Sequence, residues 1–150
     1  MAEQLCVFGT DPLQMAYDAC DWARKGYGRA DSNFFALINL CESAAASGIP
    51  VVRRGDIYIL AQQAGLPVSM CEAFRFDNNI WSALSRYMLM FRPYLAKVIH
   101  PKRADIDTID LQRVWRERVC ATTVFLADSW QDARLAFEAG DISAIPWGRR

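Results

Sequence analysis

Apolar residues recur every three or four positions along most of this chain, in blocks that end at glycine or proline. Residues spaced in this way lie on one face of an α-helix. The first block is opened by Asp11 and Pro12, a favourable capping residue followed by proline at the first helical position, and it ends at Gly26. Its apolar stripe consists of Leu13, Ala16, Tyr17, Cys20 and Ala23. The pattern predicts a helical protein.

Similar blocks follow, and most of them have a polar residue that can cap the start. Pro93 should bend or break the longest block near residues 89–91, and the short apolar stretch 49–52 could be an extended connector or a single strand. The predicted helices cover residues 33–47, 57–64, 67–76 and 79–91, and a last region that opens at Asp107 or Thr108 and restarts at Asp128 or Ser129. We expect one compact all-α domain over residues 1–150 with six or seven helices, minor β structure at most, and a loosely docked tail at about 141–150.

Size and composition agree with a single packed domain. The chain has 150 residues, of which 53% are hydrophobic and 12% aromatic, enough to form a core without metals or disulfides. Its five cysteines are widely spaced and odd in number, which argues against a disulfide framework. The first residues lack the basic start and apolar run of a signal peptide, and no apolar stretch is long enough to span a membrane. We therefore expect a cytoplasmic protein without a membrane segment.

The charges balance overall but are unevenly distributed. The chain has 17 basic and 17 acidic side chains, so its formal net charge is zero. Residues 51–104, however, carry eight basic and only three acidic groups. The balance excludes a strongly basic protein of the kind that binds nucleic acid by total charge alone. It leaves open a local basic surface within the middle third.

One stretch of this basic third has a pattern typical of a helix-turn-helix. DIYILAQQAGLPVSMCEAF, residues 56–74, places a small residue at Ala61 and a glycine four positions later at Gly65. Two helices that cross steeply need a small residue, a turn glycine and apolar contacts between them. Those contacts would come from Leu60, Ala64, Leu66, Cys71 and Phe74. We predict a helix-turn-helix-like corner at about 56–76, in which residues 57–64 brace residues 67–76.

The first functional hypothesis is that this corner binds double-stranded DNA. Residues 67–76 would enter the major groove, and a homodimer would act as a transcriptional regulator. The predicted DNA-binding residues are Arg53, Arg54, Ser69, Glu72, Arg75, Asn78 and Asn79. Among them Ser69 would be a weak base reader, and Glu72 would face phosphates unfavourably unless it accepted a hydrogen bond from cytosine. Further basic residues that could contact the backbone are Arg86, Arg92, Lys97, Lys102 and Arg103.

The second hypothesis is a non-enzymatic protein-binding module, an inhibitor or accessory factor in which the corner is purely structural. Five tryptophans are many for this length; core packing is their usual role, but exposed tryptophan beside arginine often marks a partner surface. His100 is the only histidine, at an expected helix end, and no glycine-rich phosphate loop or metal-ligand spacing is present. We therefore predict no enzyme, catalytic residue, metal site or cofactor.

Overall fold

The computed structural model describes residues 11–25, 32–119 and 123–141, and this part of the chain is all-helical, as predicted. It contains seven α-helices and three 3-10 turns, with no strand among the described residues. The helices are α1 (Pro12–Ala23), α2 (Ser32–Ala46), α3 (Ile57–Gln63), α4 (Val68–Glu72), α5 (Asn78–Phe91), α6 (Leu111–Arg118) and α7 (Trp130–Glu138). The 3-10 turns are Arg54–Asp56, Pro93–Lys97 and Asp105–Thr108.

The later helices begin at side-chain caps. The Asp77 carboxylate accepts a hydrogen bond from the backbone N–H of Ile80 at 2.8 Å and so opens α5. Asp110 and Ser129 cap α6 and α7 in the same way. The restart expected at Asp128 or Ser129 is therefore capped by Ser129. The expected opening at Asp107 or Thr108 is two to three residues early, because Asp105–Thr108 forms a separate 3-10 turn.

The core is built around α5, whose residues 83–91 are all buried. Helices α1 and α7 pack against α5, and α6 packs against α1. Aromatic rings fill the space between them, with Trp115 1% exposed and its ring 4.7 Å from Phe34 and 4.8 Å from Tyr87. The buried hydrophobic side chains of the described residues form one cluster. The sequence spacing predicts a buried face of α5 at Ile80, Leu84, Tyr87, Met88 and Phe91; the last four are buried, and Ile80 is only partly buried.

The second helix of the corner is shorter than expected. The sequence predicts a helix over residues 67–76, whereas α4 ends at Glu72. The chain then bends so that Phe74 and Phe76 both reach Trp22, with ring centroids 5.7 and 4.8 Å from its indole. The indole N–H of Trp22 also donates to the carbonyl of Ala73 at 2.8 Å. Burial of these aromatic rings ends the helix, and Trp22, which the sequence left as a possible surface residue, is 8% exposed.

The segment after α2 runs across the fold as a connector. Residues 49–52, predicted to be an extended connector or a single strand, form a connector, and the Val52 N–H donates to the Val98 carbonyl at 2.8 Å. This bond holds the segment before the 3-10 turn Arg54–Asp56 beside the end of the turn Pro93–Lys97. Two stretches some 45 residues apart in sequence are thereby brought together, and the cleft described below lies between them.

Three cysteines, Cys20, Cys41 and Cys71, are buried and free. They behave as small apolar side chains, as their positions in helical stripes predicted. Cys6 and Cys120 lie outside the described residues, and so does the predicted C-terminal tail beyond Asp141.

Candidate anion-binding cleft

A cleft of about 820 Å³ opens between residues 51–56, the first half of α5 and residues 98–102. Basic side chains dominate its charged lining. The residues that define its chemistry are Arg53, Arg54, Trp81, Arg86, His100 and Lys102. Two of the predicted DNA-binding arginines, Arg53 and Arg54, thus share one surface with Lys102 from a distant part of the chain. Asn78, also predicted, lies in the same lining.

Arg86 forms the floor of the cleft and is 2% exposed. Its Nε donates to Oδ1 of Asp107 at 2.7 Å, its Nη1 to the Ser82 carbonyl at 2.9 Å, and its Nη2 to the Lys102 carbonyl at 2.6 Å. A buried guanidinium requires such acceptors to offset the loss of hydration. Arg86 is therefore committed to the protein itself, where it fixes the backbone of Lys102 against α5.

Asp107 is the counterion of this buried arginine. It also accepts from the indole N–H of Trp130 at 3.0 Å and from the backbone N–H of Ala104 at 2.9 Å. Partial burial raises the pKa of Asp107, but the hydrogen bonds and charge of Arg86 and the other two donors outweigh that effect, so its pKa lies below the ordinary 3.8. The carboxylate stays ionised, so Arg86 and Asp107 together carry no net charge at the floor of the cleft.

Arg54 forms a wall that joins the cleft to the corner. Its Nε donates to Oδ1 of Asn78 at 2.8 Å, and its Nη1 donates to the Phe76 carbonyl at 2.9 Å. Both acceptors are uncharged, so the positive charge of Arg54 is not neutralised by them. The side chain is exposed and faces the cleft while it anchors the start of α5.

Arg53 and Lys102 form the rim of the cleft. Both are exposed, and neither side chain makes an ion pair within the described part of the chain. The carboxylate in the cleft lining is that of Asp56, which accepts from the backbone N–H of Arg53 at 2.8 Å. His100 is exposed on the same rim. The mouth of the cleft therefore carries uncompensated positive charge.

Most other described arginines are paired with a carboxylate. Six of them have a carboxylate oxygen within 3.9 Å, in addition to the Arg86 pair: Arg24, Arg75, Arg92, Arg113, Arg118 and Arg134. This pairing leaves the rim as a place where cations are available to a ligand.

The predicted reading helix is arranged differently. Ser69 is exposed on α4, but Glu72 pairs with Arg75 through a contact of 2.9 Å, and the guanidinium of Arg75 lies 3.8 Å from the ring centroid of Tyr58. These three predicted residues lie outside the cleft. Glu72 and Arg75 therefore interact with each other on the corner itself.

Apolar side chains occupy much of the remaining outer surface of the corner. Val68 is 75% exposed, Ile59 51% and Met70 36%. Asn79, the last of the predicted contacts, is partly buried at the start of α5 and is not part of the cleft lining. The structure thus brings Arg53, Arg54 and Asn78 together and leaves the other predicted residues apart from them.

Two residues of the cleft carried no functional signal in the sequence. His100 was interpreted as a residue of a helix end, and Trp81 as a neighbour of the buried stripe of α5. Their shared position depends on the Val52–Val98 contact, which no local pattern encodes. Lys102 was already noted as a basic residue that could contact the DNA backbone, although it was not placed beside Arg53.

Comparisons of the chain with protein-family models, curated proteins and solved structures find no match. None of the helices in the described ranges is long and apolar enough to cross a membrane. Within those same ranges, no group of three or more His, Cys, Asp or Glu side chains is arranged to hold a metal ion.

Proposed function

We propose that this chain is a DNA-binding protein that holds the phosphate backbone through the rim of the cleft. The observation that carries the proposal is the convergence of Arg53, Arg54 and Lys102 on one cleft whose lining contains a single carboxylate, Asp56. Phosphate contacts by arginine and lysine supply most of the sequence-independent affinity of such proteins. The three side chains come from two segments held rigidly by the Val52–Val98 bond and by Arg86.

Helix α4 contributes little to base reading in this proposal. It has five residues, a length of about 7.5 Å, and its one acidic group pairs with the nearby Arg75. Specific recognition usually requires several free donors and acceptors along a helix in the major groove. We therefore expect affinity to come from the rim and sequence preference to be small for a single copy. The homodimeric regulator expected from the sequence remains part of the proposal, since a second copy would double the phosphate contacts.

The proposal is tested by the salt dependence of duplex binding. Fluorescence anisotropy with a labelled mixed-sequence duplex should give a slope of log affinity against log salt of about −3 if three phosphates are contacted. The double variant Arg53→Glu/Lys102→Glu should abolish binding, because it places carboxylates where phosphates would lie. Circular dichroism should show an unchanged fold, since both side chains are exposed.

The matched control is Arg113→Glu/Arg116→Glu on α6, which changes the net charge equally on exposed positions outside the cleft. The control should retain most of the duplex affinity, whereas the cleft variant loses it. Equal loss in both variants would show that only total charge matters, and a flat salt response of the wild-type protein would overturn the proposal.

A protein-binding module is the second candidate, and the exposed apolar side chains of Ile59, Val68 and Met70 favour it. An apolar surface bordered by polar groups is typical of a protein contact. Under this alternative the wild-type protein does not bind duplex DNA even at low salt. Replacement of Val68 and Met70 with serine distinguishes the two candidates, because it should leave DNA binding intact if the cleft is the site.

A further inference from the structure

We infer that the cleft takes up one unstacked nucleotide, with its base against Trp81 and its phosphate at Arg53 and Lys102. This inference rests on the proposed DNA-binding function and specifies the ligand further, as single-stranded DNA or an unpaired end. Positive charge alone would favour any phosphate, whereas an aromatic ring beside it favours a nucleobase.

Trp81 has the position that stacking requires. It borders the cleft and is partly exposed, while Phe76 stacks on it with ring centroids 5.9 Å apart and an interplanar angle of 26°. Phe76 is itself 5% exposed and packs edge-on against Trp22 at 4.8 Å. The indole is therefore stacked against a buried ring of the core. A supported ring loses little conformational freedom when a base stacks on it.

The lining that contains this ring also contains polar and charged groups. Trp81 lies on α5, one turn after Asn78, whose Oδ1 is held by Arg54 at 2.8 Å. The amide nitrogen of Asn78 makes no hydrogen bond within the described residues and can donate to a base edge. Arg53 and Lys102 lie in the same lining. The cleft thus combines an aromatic surface, an amide donor and two free cations. These groups match the base face, the base edge and the phosphate of a nucleotide.

The size of the cleft favours a single nucleotide over a duplex. A volume of about 820 Å³ lies within the usual range of small-molecule pockets, about 300–1,000 Å³. A base in a duplex is stacked on both faces and offers only its edge to a protein. A ring inside a cleft can stack only on a base that has left the helix or was never paired. Duplex DNA would instead lie across the rim and contact Arg53, Arg54 and Lys102 without stacking on Trp81.

The experiment compares a labelled single strand of about 12 nucleotides, a length within the range of typical single-strand sites, with a duplex of equal length. The wild-type protein should bind the single strand more tightly. Trp81→Leu should weaken single-strand binding by about 5- to 150-fold, the loss expected when one stacked base is removed, and should leave duplex affinity nearly unchanged. Trp81→Phe keeps an aromatic face and the contact with Phe76, and it should retain most of the single-strand affinity.

Phe137→Leu is the matched control, because Phe137 is also a partly buried aromatic residue but lies on α7, outside the cleft. It should bind both DNAs as the wild-type protein does. If the wild-type protein binds the duplex as tightly as the single strand, or if Trp81→Leu weakens both equally, the inference is wrong, whereas phosphate binding by the rim stands. If the protein binds neither DNA, the proposed function fails as well. The comparison of the two wild-type affinities decides the question even if Trp81→Leu does not fold.

Discussion

The corner formed by α3 and α4 and the adjacent cleft use the same kinds of side chain to opposite effect. On the corner, Arg75 pairs with Glu72 and lies over Tyr58, and the remaining outer surface is largely apolar. On the rim of the cleft, Arg53 and Lys102 have no carboxylate partner among the described residues. The presence of arginine therefore does not indicate a binding surface. Its availability depends on which acceptors the fold places around it.

The floor of the cleft shows a third arrangement. Arg86 is buried and bonded to Asp107 and to two carbonyls, so it serves structure, while the exposed cations above it are free for a ligand. The contrast between the floor, the corner and the rim leads to four predictions.

The largest effect should come from removing a carboxylate from the floor. Asp107→Ala should lower the free energy of unfolding by about 3–5 kcal/mol, because Arg86 would remain buried without its counterion. The same change on the corner, Glu72→Ala, should leave stability nearly unchanged, since that ion pair is exposed. Urea unfolding of both variants measures the difference. Equal, small losses would mean that the floor is more hydrated than its 2% exposure implies.

The pH dependence of the Asp107 variant provides an internal check. Because the pKa of Asp107 is lowered in the folded state, its contribution is fully present above its ordinary value of about 4 and is lost as the pH falls through the lowered folded pKa. The stability gap between wild type and Asp107→Ala should therefore be constant near neutrality and narrow only in acid. A gap that narrows between about pH 5 and 7, above the ordinary pKa of the carboxylate, would contradict this assignment.

A smaller effect is expected at the turn of the corner. Gly65 has φ +81°, and a methyl group there would meet no atom within 4 Å, so Gly65→Ala tests backbone strain alone. It should cost about 1–2 kcal/mol, the penalty of a left-handed conformation for a residue with a side chain. Gly55→Ala, in the cleft segment, also meets open space but without a positive φ. This control should be neutral or slightly stabilising. Thermal unfolding of both variants measures the difference.

The smallest effect should separate the two roles of Arg54, which connects the corner with the cleft. Arg54→Lys keeps the positive charge but loses the hydrogen bonds to Asn78 and the Phe76 carbonyl. Stability should fall by about 1 kcal/mol, while the salt slope of duplex binding stays unchanged. If the slope also falls by about one unit, the guanidinium itself holds a phosphate and the anchoring role is secondary.

Local patterns predicted the helices well because each depends on residues close in sequence. The stripe of α5, the cap at Ser129 and the glycine turn at Gly65 all follow from spacing or from one side chain. The prediction that residues 67–76 form one helix was wrong. Trp22 lies about 50 residues away in the sequence, and its contacts with Phe74 and Phe76 end the helix before these residues. No local rule could anticipate contacts at that separation.

The sequence by itself determined an all-helical chain with a basic middle third, because helix periodicity and charge counts are local quantities. The tertiary structure alone decided which of those basic residues are free. Ion pairing and burial depend on distances between segments, as the partnership of Arg86 with Asp107 and the approach of residues 51–56 to residues 98–102 demonstrate. Coulomb energies vary with distance and solvation rather than with position in the chain, so a binding surface is set only when the chain has packed.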